Sequence, residues 1–212
     1  MIFLCQFIPS GNYASCATGS QCCFCIDHQI LLKVRGNDFG IIGSTHKWFS
    51  SYLTGRKQRV LINDRTSDDF HLNCGVSQGS CMGPILFILY ISRLYHVIPN
   101  HLPSAHGYAD DTQLYLLFRP NDRSSQDHAI ASVEACISDV RAWLIYNRQL
   151  INDSKTEFLF VGSRHQLSKI AIDSITVSDS TIQPVNSVRN LGSWFDSNMS
   201  ISIHFGKICS KA

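Results

Sequence analysis

The sequence predicts an α+β fold, an antiparallel sheet covered by helices on one face. Three observations carry that expectation. Two stretches read as β-hairpins, one turning at Asn63-Asp64 and one between Gly107 and Thr112, and both are bounded by apolar runs. A longer stretch repeats Ile130, Val133, Ile137, Val140 and Leu144 at three- and four-residue steps, the stripe of an amphipathic helix. Helical and extended patterns are mixed along the chain, with the hairpins among them.

Composition sets the outer bounds. With 212 residues, 44% hydrophobic and 16% charged, the chain has the make-up of a globular protein. A formal net charge of +2 is too mild to argue nucleic-acid binding by itself, so any such role must rest on local clusters. Nine cysteines form an odd count without repeated spacing, and Cys5, Cys16, Cys22, Cys23 and Cys25 crowd the start. That pattern fits reduced thiols, and no second Cys or His pair follows Cys22-Cys23-x-Cys25 at zinc-finger spacing. Met1 to Ile8 is apolar but no basic residue precedes it, and no apolar run reaches the roughly 18 residues of a membrane span. The expectation is a soluble intracellular protein with no membrane partner, acting in the nucleus or cytoplasm.

Residues 1–24 carry no charge, show no helical or strand period, and are rich in Cys, Ser and Gly. They form a composition break and are expected to be poorly ordered. After it, Asp27 is placed to cap a short helix through Leu32, and Ser44 a second helix with Trp48, Phe49, Tyr52 and Leu53 on one face. Gly55 ends that helix. Arg56-Lys57-Gln58-Arg59 then leads into Val60-Leu61-Ile62, with Asn63-Asp64 as the turn and Phe70-His71-Leu72 returning.

A glycine-rich stretch, Gly75-Val76-Ser77-Gln78-Gly79-Ser80-Cys81-Met82-Gly83-Pro84, precedes an apolar helix expected from Ile85 to about Val97. Pro84 suits the first helical turn, where its missing donor costs nothing. Such a loop exposes backbone donors to an anion and lets a base or sugar approach closely. Beyond the 130–144 helix, with Trp143 beside its stripe, Lys155-Thr156-Glu157 leads into a strand over Phe158-Leu159-Phe160-Val161. Shorter strands are expected over Ile170 to Ile172, Ile175 to Val177 and Ser187 to Phe195.

The stretch that bears chemistry is Tyr108-Ala109-Asp110-Asp111. Neighbouring residues on a strand point to opposite faces, so two adjacent Asp converge only where the chain turns sharply. Two carboxylates side by side need compensation, and hard divalent cations choose carboxylate oxygens. The plain alternative is an exposed Asp-Asp turn.

The flanks decide between these. Gly75 to Phe87, taken with Tyr108-Ala109-Asp110-Asp111-Thr112, resembles the reverse transcriptases of non-LTR retrotransposons of the jockey and CR1 kind. Three further blocks agree in order. They are Phe39-Gly40-Ile41 to Trp48-Phe49-x-x-Tyr52-Leu53-x-x-Arg56-x-Gln58, Trp143 with Asn147, Leu150, Asn152 and Lys155-Thr156-Glu157, and Val188-Arg189-Asn190-Leu191-Gly192. The resemblance divides the chain into a non-family segment, 1–24, and a partial reverse transcriptase domain, 25–212.

The resemblance implies the palm of a right-hand polymerase, with fingers and thumb largely missing, that copies RNA into DNA with two Mg2+ ions. Asp110 and Asp111 become the metal ligands and, with Lys155 near the triphosphate, the catalytic residues. Gln78, Gly79 and Tyr108 are assigned to the template base and incoming nucleotide, and Arg56 and Arg59 to phosphates. The implied partners are an RNA template, a DNA primer and deoxynucleoside triphosphates, with no defined protein partner.

One departure bears on activity. The family's upstream Asp lies in a Phe-Asp-x-Ile/Val-Asp-His pattern, and Ile26-Asp27-His28 matches its right half while Phe24 stands at the metal-binding position. Asp27 is three residues away, on the opposite face of a strand. The two-metal site is therefore expected to be incomplete and polymerase activity severely reduced or absent. The alternatives are a non-catalytic remnant that binds RNA or primer-template, and a poorly folded relic.

Overall fold

The computed structural model describes residues 2–7, 9–11, 22–77, 80–177 and 180–210. The first half of the chain runs β1 (Ile2–Phe7), β2 (Pro9–Gly11), β3 (Cys22–Asp27), α1 (His28–Phe39), α2 (Gly43–Leu53), β4 (Lys57–Gln58), β5 (Leu61–Ile62), β6 (Arg65–Thr66), β7 (Phe70–His71), β8 (Cys74–Ser77) and α3 (Gly83–Ile91). It continues with α4 (Leu94–Val97), β9 (Ser104–Tyr108), β10 (Asp111–Leu117), α5 (Arg123–Tyr146), β11 (Gln149–Ile151), β12 (Glu157–Val161) and α6 (Arg164–Leu167). Last come β13 (Ile175–Val177), β14 (Ser180–Ile182), β15 (Ser187–Asn190), β16 (Ser193–Asp196) and α7 (Ser202–Cys209). The mixture of helices and small antiparallel sheets is the α+β class expected.

The chain divides into two compact units, one of Met1–Pro9, Leu94–Leu144 and Ile151–Ala212, the other of Ser10–Arg93 and Ile145–Leu150. The first is built on a four-stranded antiparallel sheet in the order β12-β1-β10-β9. Strand β1 pairs with β10 from Ile2↔Leu117 to Phe7↔Thr112, and with β12 from Ile2↔Val161 to Gln6↔Glu157. This strand lies where the sequence shows no period. A short apolar run without alternation cannot be told from other buried segments by periodicity alone.

Leu159 of β12 and Val188 of β15 are fully buried together, with Tyr115, Val161, Val185 and Phe195 packed against them. The stripe of α5 is confirmed in Val133, Ile137, Val140 and Leu144, joined by buried Ala129, Cys136 and Gln126. Gln126 explains why Ile170 to Ile172 is not the strand expected. Its amide donates to the Lys169 carbonyl (3.0 Å) and accepts from the Ala171 N–H (2.9 Å), so a side chain satisfies backbone groups that a strand partner would otherwise take. The single strand expected over Ser187 to Phe195 is the β15–β16 hairpin. It turns at Leu191 and Gly192, both at positive φ (46° and 89°), and the leucine hides the turn from composition.

In the second unit β3 pairs with β8, and α1 lies against α2 and α3. Asp27 does cap α1, its Oδ1 accepting from the Ile30 N–H at 3.0 Å, and the helix runs past Leu32 to Phe39. Ser44 is not the cap of α2. The helix begins at Gly43 with Ile42 at the N-cap and no side-chain cap. Asn63 and Asp64 form the expected turn, both at positive φ (48° and 61°), but the hairpin is nested: β5 pairs with β6 and β4 with β7. Pro84 sits in the first turn of α3 as expected, and the helix expected through Val97 is interrupted after Ile91 and resumes at Leu94.

Candidate active site

The carboxylates sit at the tip of the β9–β10 hairpin. Asp111 pairs with Tyr108 and Thr112 with Gly107, which leaves Ala109 and Asp110 as a two-residue turn. Ala109 adopts φ 52°, the left-handed geometry that a primed hairpin turn requires at its first central position. An alanine there is strained by of order 1 kcal/mol or more. The turn is held by what surrounds it. Gly107 leaves room for Tyr95, whose Oη lies 1.4 Å from the position a Cβ at residue 107 would occupy.

This turn exposes Asp110 and leaves Asp111 partly buried as the first residue of β10. Burial pushes the Asp111 carboxyl above its ordinary range, the Asp110 charge adds to this, and the Lys155 cation opposes it. Lys155 ends a 3-10 turn, Asp153–Lys155, whose Asp153 is ion-paired to Arg141 of α5. The Lys155 N–H donates to the Asn152 carbonyl at 3.0 Å. Tyr108, Asp110, Asp111 and Lys155 therefore all belong to the first unit, and Tyr108 is 67% exposed beside the acids.

Arg56 and Arg59 belong to the second unit. Arg59 is engaged by Asp69, which also takes Lys57 at 2.9 Å and whose carboxyl these two cations hold well below the usual range. Arg56 donates to the Gly75 carbonyl (3.3 Å) and lies over the Tyr52 ring, 5.7 Å from its centroid. Gln78 and Gly79 lie outside the described residues. Asp69 had no sequence signal, being one acid among several in a turn-rich stretch.

Asp27 is committed elsewhere. Besides capping α1 it pairs with Arg148 at 2.7 Å and is only 7% exposed. Phe24, where the sequence locates the absent upstream acid, pairs with Val76 in the β3–β8 sheet. The strand hydrogen-bonded to β10 on the side away from β9 is β1.

The family model for reverse transcriptase (RNA-dependent DNA polymerase) matches residues 9–195. This chain belongs to the reverse transcriptase family. No curated protein matches it. Membership brings RNA-directed DNA synthesis, nucleotidyl transfer and nucleic-acid substrates as the family's chemistry, with divalent metal ions as its usual cofactors. No helix among the described residues is long and apolar enough to cross a membrane.

The hairpin supplies Asp110 and Asp111, and no group of three or more His, Cys, Asp and Glu gathers as a metal site among the described residues. Strand β1, Ile2-Phe3-Leu4-Cys5-Gln6-Phe7, contains no acid, and neither does β9. Mg2+ demands near-octahedral oxygen coordination, and two neighbouring carboxylates cannot bridge two ions and fix their separation.

Proposed function

We propose that this chain is the palm of a reverse transcriptase from a non-LTR retrotransposon, of the jockey or CR1 kind, polymerase by descent and catalytically defective. The observation that carries the reading is the hairpin that holds Asp110 and Asp111 next to a strand with no acid. Supporting the family's finer identity are the Gly75 to Phe87 block and the blocks around Trp48 to Gln58, Trp143 to Glu157 and Val188 to Gly192. Asp110, Asp111 and Lys155 are the remnant of the catalytic group, with Asp110 and Asp111 the remaining metal ligands toward Mg2+. Tyr108, Gln78 and Gly79 are its nucleotide and template contacts, and Arg56 and Arg59 its phosphate contacts.

Position, not chemistry, is what these residues still supply. Lys155 compensates the Asp111 charge and presents a cation at the site, and Tyr108 offers an exposed ring. The partners are an RNA template, a DNA primer and deoxynucleoside triphosphates. Oligo(dT) annealed to poly(rA) tests the reading: the chain is expected to bind the hybrid, with affinity that falls as salt rises, and to leave the primer unextended with Mg2+ and dTTP. Extension of the primer would contradict the defect.

A further inference from the structure

Helix α2 carries an aromatic column that the hairpin site does not use. The rings of Trp48 and Tyr52 stack with planes 6° apart and centroids 5.7 Å apart. The Arg56 guanidinium continues the column, 5.7 Å from the Tyr52 centroid. Four-residue steps bring Trp48 and Tyr52 onto one side of the helix, and Arg56 follows just past its end. Core packing does not account for the arrangement. Leu53 is the buried residue of α2, whereas Trp48 is 54% exposed.

The column is braced from below. The Tyr52 hydroxyl is hydrogen-bonded to Ser80 Oγ at 2.9 Å, and Arg56 reaches the Gly75 carbonyl, so two residues of the glycine-rich stretch hold it. From Phe39 to Asn63 the chain has Lys47, Arg56, Lys57 and Arg59 and not one acid. Lys57 and Arg59 are both paired with Asp69, so the cations on the column's own segment are Lys47 and Arg56. An exposed indole backed by a half-buried tyrosine ring and an arginine suits a ligand with flat π faces and a negatively charged backbone.

We propose that Trp48 and Tyr52, extended by Arg56, form a stacking ledge for unpaired bases of single-stranded nucleic acid. The ledge rests on the proposal that this chain binds nucleic acid, and it adds a contact that reads strandedness. Every base has a π face, so the ledge is sequence-tolerant, and a duplex with its bases already stacked offers it little.

The test titrates the whole chain with a labelled oligo(rU) 12-mer, reading anisotropy, and with an unlabelled one, reading tryptophan fluorescence. The chain is expected to bind, with quenching of its tryptophan emission. Trp48→Ala should weaken binding by roughly tenfold or more, and Trp48→Phe should keep most of the affinity while losing the quench. Circular dichroism checks that each variant keeps its fold, which the exposure of Trp48 favours. If Trp48→Ala binds as the unmodified chain does, the ledge is overturned while nucleic-acid binding stands. If the unmodified chain binds no oligonucleotide at all, the binding proposal fails and the ledge with it. Sedimentation in which Trp48→Ala disperses a dimer, with oligonucleotide binding unchanged, would assign the face to a second copy of the chain and overturn the proposal.

Discussion

Gln6 of β1 pairs with Gln113 of β10, two residues along the strand from Asp111. Alternation puts positions 111 and 113 on one face of the sheet, and directly opposed antiparallel residues share a face. An acid at position 6 therefore falls diagonally across from Asp111, at a Cα separation of roughly 7–8 Å. Gln6→Asp is expected to raise affinity for Mn2+ at least tenfold, read by electron paramagnetic resonance of the free ion, and Asp110→Ala should abolish the gain. Phe24→Asp, on β3, should leave Mn2+ affinity unchanged. The reverse ranking would return the missing acid to Phe24.

The Asp111 carboxyl titrates above its ordinary value of 3.8 because it is partly buried and lies beside Asp110. A raised folded-state value means the native state holds its proton more tightly than the unfolded chain does. Stability from this group is then present at low pH and lost as pH rises from about the ordinary value through the raised one. Asp111→Asn should accordingly raise Tm at pH 7 and lose that advantage at pH 3, where both side chains are neutral. An equal or lower Tm at pH 7 would contradict the assignment.

Gly107 is the neighbour on which the turn depends. A Cβ there would sit 1.4 Å from Tyr95 Oη and 2.6 Å from Cζ, so the ring must move. Gly107→Ala should destabilise the chain by about 1–3 kcal/mol in urea unfolding. Combined with Tyr95→Ala it should cost less than the sum of the two single changes, since the clash is then relieved. Additive costs would show that Tyr95 has another place to go.

Asp27 serves structure. Asp27→Ala removes the cap on α1 and should cost about 1–2 kcal/mol. Asp27→Asn keeps an acceptor for the Ile30 N–H and loses only the pair with Arg148, itself 67% exposed, so it should cost less than about 1 kcal/mol. Equal costs in the two variants would shift the weight from the cap to the ion pair.

Local chemistry was readable where it sits in consecutive residues. The turns at Asn63-Asp64 and Ala109-Asp110, the cap at Asp27 and the stripe of α5 all follow from short-range pattern. Long-range pairing was not. Nothing in Ile2 to Phe7 announces that it pairs with β10, because a short apolar run carries no period and its partner lies more than a hundred residues away. The site residues divide the same way. Motifs name Asp110 and Asp111, but the pattern that resembles the upstream acid's strand falls in residues 22–27, whose partner is β8. Spacing alone places Trp48, Phe49, Tyr52 and Leu53 on one face of α2. Burial separates Leu53 from the exposed Trp48.

The central claim is that two hairpin carboxylates beside a strand that carries no acid cannot support polymerisation. Single-nucleotide extension of 5′-labelled oligo(dT) on poly(rA), with Mg2+ and dTTP, measures it directly when the unmodified chain and Asp110→Ala are run side by side. Both are expected to show no product above a no-enzyme control. Extension by the unmodified chain that disappears in Asp110→Ala would contradict the account.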